Sequence, residues 1–196
     1  MAKRARHHTV LMAVMALWCG VAETRTAAAQ DAGLTMRLRN DAQLPGDLLV
    51  EAKGIVAAIY AEAGIDATFV DSRADFTIIL LSRHTAKNMH QIPDAVGFAP
   101  SSQVALGRIA YVIQPRVDRI AEGYGASRAI VLAVAIAHEL GHLLMFDAHS
   151  SSGIMRPDWN QADFRKAVHG KLLFTDAQAA EMRARLTAPG NLNHSE

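Results

Sequence analysis

The chain of 196 residues contains one cysteine, Cys19, which excludes both an intramolecular disulfide framework and a cysteine-based zinc module. Glycine and proline together number only 19, too few for a fibrous or low-complexity chain. Charge of one sign is also missing. Twenty Lys and Arg stand against nineteen Asp and Glu, a formal +1, so there is no basic field to draw nucleic acid. No apolar run is long enough to cross a bilayer. The best, from Val10 to Trp18 and weakly on to Ala22, offers roughly 13 residues where about 20 are needed. What is present is an apolar fraction of 51%, ordinary for a globular core and incompatible with wholesale disorder.

The N-terminus has the layout of a secretory signal peptide. Lys3, Arg4 and Arg6 precede the short apolar run, and Ala27-Ala28-Ala29 supplies small residues before Gln30. Trp18 is a bulky neighbour for a lipid-modified Cys19, which argues against a lipoprotein anchor. Residues 1–29 are therefore read as the signal peptide and 30–196 as one domain in a secreted or periplasmic protein. Without the four basic residues of that segment and Glu23, the mature chain carries 16 basic against 18 acidic residues, a formal −2, and no cysteine. At 167 residues it can still rest on its core.

Periodicity gives a coarse architecture. Leu34 to Arg39 alternates as a half-buried strand, and Asp47 is placed to cap a helix whose apolar positions run from Leu48 to Tyr60. Gly64 should end that helix. Ile65–Val70 and Phe76–Leu81 read as strands, the second continuously apolar and so central. Residues 83–106 look irregular, 109–113 form a fourth strand, and a long helix runs from Ser127 to about Leu144 after the glycines at 123 and 125. Residues 146–173 look mostly loop-like, and Thr175 with Gln178 forms a capping box for a last helix to about Leu186. The order predicts a mixed α/β or α+β domain with about four strands.

The chemistry sits in the long helix, which reads His138-Glu139-Leu140-Gly141-His142. A spacing of four puts both imidazoles on one helical face, about 6 Å apart at Cβ, which suits two corners of a tetrahedral zinc site. Glu139, one residue round, can reach a water at the metal without being a ligand, the general-base position of an HExxH motif. Leucine, isoleucine, valine and alanine surround the motif, so its charged and polar groups require partners. His84, His90 and His169 have no neighbour at ligand spacing and read as surface or loop residues. Trp159 reads as a hydrophobic plug under the loop.

The segment that follows, with His149-Ser150 and then Gly153-Ile154-Met155, resembles the third-ligand stretch and Met-turn of metzincin zinc peptidases. The likeness is to matrixin-type enzymes and, most of all, to small secreted bacterial proteins with HELGHLL, HS and GIM. It covers residues 138–155. It implies a zincin or metzincin-like α+β fold: a twisted mixed sheet, a first packing helix, an active-site helix and a C-terminal helix. It further implies one Zn²⁺ held by His138, His142 and His149, Glu139 as base and Met155 beneath the metal. The substrate would be a peptide or protein lying along an edge strand, for which residues 107–113 are the expected equivalent.

Two departures bear on the third ligand. His149 falls seven residues after His142 where the family spacing is six, and Met145 stands where the family has a helix-ending glycine. Asp147 and, on a gluzincin reading, Glu181 are the alternatives. Three functions stay open at this point: a secreted zinc peptidase, a non-catalytic zinc-binding domain on a zincin scaffold, and an ordinary secreted domain with a coincidental HExxH. The oligomeric state has no signature in the sequence.

Overall fold

The computed structural model describes residues 32–88, 95–100, 107–146 and 148–188. The signal-peptide reading, His90 and Asp147 fall outside them. Strand β1 (Ala32–Asn40) buries Ala32, Leu34 and Met36 and leaves Gly33, Arg37 and Arg39 exposed, the alternation of a sheet with one covered face. Helix α1 (Gly46–Glu62) packs Ala52, Val56, Ile59 and Tyr60 inward. It begins at Pro45 without a side-chain cap, so Asp47 lies inside the first turn. There its carboxylate accepts from the Leu48 N–H at 2.9 Å and faces the positive end of the helix dipole. Gly64 follows the helix at φ 71°, the left-handed stop that the sequence predicts.

Strands β2 (Ile65–Phe69) and β3 (Phe76–Leu81) are followed by a short helix α2 (Arg83–Asn88), a two-residue strand β4 (Gly97–Phe98) and β5 (Ile109–Ile113). The sheet order is β2-β1-β3-β5-β4. Parallel pairing holds throughout except at β4, which runs antiparallel to β5. β3 is central, as its unbroken apolar run requires. Asp75 fixes its register against β1. The buried carboxylate accepts from Thr35 N–H at 2.9 Å and Thr35 Oγ1–H at 2.6 Å.

Helices α3 (Gln114–Tyr124), α4 (Arg128–Leu144), α5 (Gln161–Val168) and α6 (Asp176–Thr187) complete the described chain. The main core lies between one sheet face and α1, α3, α4 and α6. A small cluster of Ile79, Leu81 and Ile113 with Ala86 of α2 lies on the other face. This is an α+β domain with a mixed sheet of five strands among the described residues.

The structure adds elements to three stretches. The segment 83–106, read as irregular, contributes α2 and β4. The stretch 114–124, to which the sequence reading assigns no element, is a helix, started by Pro115 in its first turn and stopped by Gly125 at φ 62°. The loop-like stretch 146–173 contains α5, whose Asn160 and Asp163 form a capping box. A further correction concerns substrate placement. Among the described residues β5 pairs with β3 on one side and, at Tyr111 and Val112, with β4 on the other, so β4 and not β5 lies outermost there.

Candidate metal centre and active site

Helix α4 is buried along almost its whole length, from Ala129 to Leu144. That burial places His138 and Glu139 in the interior, and His142 comes half out at the next turn. The helix ends at Leu144, and Met145 leaves in extended geometry, φ −138° and ψ 143°. No left-handed residue is needed at position 145, which is why a methionine serves there. The longer loop then returns His149 to the two helical imidazoles. The ligand atoms of His138, His142 and His149 all lie within 4.8 Å of one another.

The donor set suits a metal ion. A carbonyl oxygen only accepts, so the 2.9 Å contact between His138 Nδ1 and Ile154 O puts the ring proton on Nδ1. His138 Nε2 then presents its lone pair to His142 Nε2, 3.0 Å away. Two imidazole nitrogens that close need a proton or a cation between them. Burial lowers both rings to about pKa 4, despite the Ile154 bond that favours the charged form of His138, so both are neutral and able to ligate at neutral pH. Burial pushes the Glu139 carboxyl the other way, up to about 8. A divalent cation beside it would favour the carboxylate again.

These opposed shifts fix how stability without metal should follow pH. Below about 6.5 the unfolded chain takes up protons on two histidines that the folded chain keeps neutral, so stability falls as pH drops towards 4. Glu139 is protonated in the folded chain up to about 8 but ionises near 4.5 when unfolded, so it removes stability as pH rises between those values. Two histidines outweigh one glutamate below about 6.5, and the glutamate acts alone above. Thermal melts of chelator-treated protein should therefore peak near pH 6.5, and a melting temperature rising steadily from pH 6.5 to 8 would contradict these shifts.

The surroundings explain Met155 and Trp159 and add two glycines, Gly141 and Gly97, whose roles the sequence does not show. Met155 is fully buried beneath α4, and a Cβ at Gly141 would come within 2.6 Å of its sulfur. The helix tolerates glycine mid-span, at a cost of about 1 kcal/mol against alanine, because a methyl would displace Met155. Gly97 is as constrained. A Cβ there would lie 2.8 Å from both Cγ and Oε1 of Glu139 and would overlap the Tyr111 carbonyl, so β4 runs directly against the carboxylate. Trp159 is more than a plug. Its Nε1–H donates at 2.9 Å to the same Ile154 carbonyl that orients His138, and its ring meets that imidazole edge-on at 5.1 Å.

A cleft of about 550 Å³ opens over the three histidines and Glu139, walled by Phe98 of β4, Ile120 and Tyr124 of α3, Trp159 and Phe164. Among the other residues singled out in the sequence, His84 and His169 are exposed on α2 and after α5, away from the cluster. Glu181 is exposed on α6 and is not one of the grouped ligands.

No family model matches the chain, and no curated protein does. Among solved structures, the solution structure of TM1509 from Thermotoga maritima, described as VT1, a NESGC target protein, is similar at 13% identity and a TM-score of 0.38. It covers 83% of this chain and 97% of that one. A likeness that distant bears on neither chemistry nor fold detail. What the chain itself establishes is an α+β domain in which His138, His142 and His149 stand close enough to hold one metal ion.

Proposed function

We propose that the protein is a secreted zinc-dependent peptidase on a metzincin-like scaffold. The observation that carries this reading is the convergence of three imidazoles beside a buried carboxyl group at the floor of an open cleft. Three nitrogen ligands with no fourth side chain among the grouped residues is a donor set suited to catalytic zinc. Zinc bound there supplies a Lewis acid for the scissile carbonyl and a water of lowered pKa. Glu139 receives the proton of the attacking water at a carboxylate oxygen and returns it to the leaving amine. His138 is kept in the ligating tautomer by Ile154 O, itself held by Trp159.

The substrate would be a peptide or protein. An extended chain pairing with the outer edge of β4 lies beside Glu139, because Gly97 already touches that carboxylate. The aromatic wall of the cleft favours an apolar side chain next to the cleaved bond. The deciding experiment is cleavage of an unfolded protein by zinc-loaded protein and by its Glu139→Gln variant. A non-catalytic zinc domain would bind the metal and show no difference between the two.

The same reading puts the mature chain outside the cytoplasm, on the strength of Lys3, Arg4, Arg6, the short apolar run and Ala27-Ala28-Ala29. Mass spectrometry of exported material should find an N-terminus near Gln30. An intact residue 1 would reject the assignment.

A further inference from the structure

Gln178 sits at the third position of α6 and is buried, with 8% of its surface exposed. Its Oε1 accepts from Thr175 N–H at 3.0 Å, and its own N–H donates to Thr175 Oγ1 at 3.3 Å, the reciprocal bonds of a capping box. Its Nε2 turns the other way. It donates to Ala148 O at 2.9 Å and to Ser150 Oγ at 3.1 Å. Thr175 N–H can only donate and Ala148 O can only accept, so one orientation of the amide satisfies both. The two loop contacts bracket His149. The Ala148 carbonyl belongs to the peptide unit that carries the His149 nitrogen, and Ser150 is the next residue on.

A capping box accepts glutamate or glutamine at this position equally. Only the amide also has hydrogens to give the loop. His149 itself is exposed, on a loop that left its helix at Met145, and the ring contacts given for it are with His138 and His142, 5.5 and 4.7 Å between centroids. We propose that Gln178 is a positioning residue for the third imidazole: it ties the His149 loop to the C-terminal helix and pre-sets the metal site. This rests on the reading of His138, His142 and His149 as zinc ligands.

The test separates the two jobs of one side chain. Gln178→Glu keeps the acceptor for Thr175 N–H and loses both donors to the loop. Thr175→Ala loses the hydroxyl of the cap and leaves the donors in place. Zinc affinity is measured by competition with a chromophoric chelator, alongside thermal melts of the chelator-treated proteins and visible spectra after cobalt(II) substitution. Gln178→Glu should weaken zinc about 10- to 100-fold, the usual range for groups that orient a ligand, and alter the cobalt bands. Thr175→Ala should melt earlier with zinc affinity and cobalt bands unchanged. Zinc affinity of Gln178→Glu equal to the parent's overturns the proposal. So does a loss in both variants that merely follows their melting temperatures. If the parent protein binds no zinc, or His149→Ala binds it as well as the parent, the metal-site reading itself fails, a result distinct from either.

Discussion

Replacing Glu139 by glutamine should cut hydrolysis of an unfolded protein substrate by about 10²- to 10⁴-fold while zinc stays at one per chain. The substitution fits the folded site. Burial already holds the carboxyl protonated up to about pH 8 in the absence of metal, and an amide has nearly the shape and polarity of a protonated acid. What the amide lacks is a lone-pair oxygen basic enough to take a proton from water. The expected pattern is thus a fall in kcat with unchanged metal content and a melting temperature no lower than the parent's, since the amide is spared the cost of protonating a buried acid between pH 4.5 and about 8. Activity retained in Glu139→Gln would remove the carboxylate from the reaction. Activity absent from both proteins, with zinc bound in both, would identify a binding domain instead.

The second large effect is on the metal. His142→Ala should lower zinc affinity by about a hundredfold or more, taking roughly a third of a binding free energy on the order of 10 kcal/mol. The same change at His138 has an added consequence. It leaves the Ile154 carbonyl with the Trp159 indole as its remaining ring partner and opens a hole in a packed interior. His142 is only half-buried, so His142→Ala is the cleaner probe of ligation. Zinc measured per chain by atomic absorption after exhaustive dialysis decides it. Stoichiometry unchanged in the variant would sink the site.

The parts of the fold legible in the sequence were those with a long, regular signal. The alternation in β1, the continuous apolar run of β3 and the apolar helix around the HExxH all appear where the pattern puts them. The short elements were missed for separate reasons. β4 spans two residues, too few for any periodicity, and exists because β5 offers it a partner. Helix α3 does carry a signal, in Pro115 at its start, Gly125 at its end and Val117, Ala121 and Tyr124 at helical spacing, but it is short and only weakly apolar. Helix α5 had the same capping-box chemistry that identified α6.

At the site, His138, Glu139 and His142 followed from a fixed spacing on one helix. His149 came from a resemblance, and its approach to the other two depends on a loop path that spacing alone does not determine. Gln178 was visible as a cap. Its other face was not, since a hydrogen bond spanning thirty residues leaves no local pattern.

Burial runs in one direction across the three imidazoles: His138 is enclosed, His142 half-covered and His149 open to solvent. An ion held by all three would be most open to solvent on the His149 side. Exchange would begin at His149, with the ion resting briefly on the two helical rings, and would not require α4 to unravel. If Gln178 ties the His149 loop to the C-terminal helix as proposed, metal exchange would follow how often that loop lifts from the helix. Occupancy could change within the lifetime of a folded molecule.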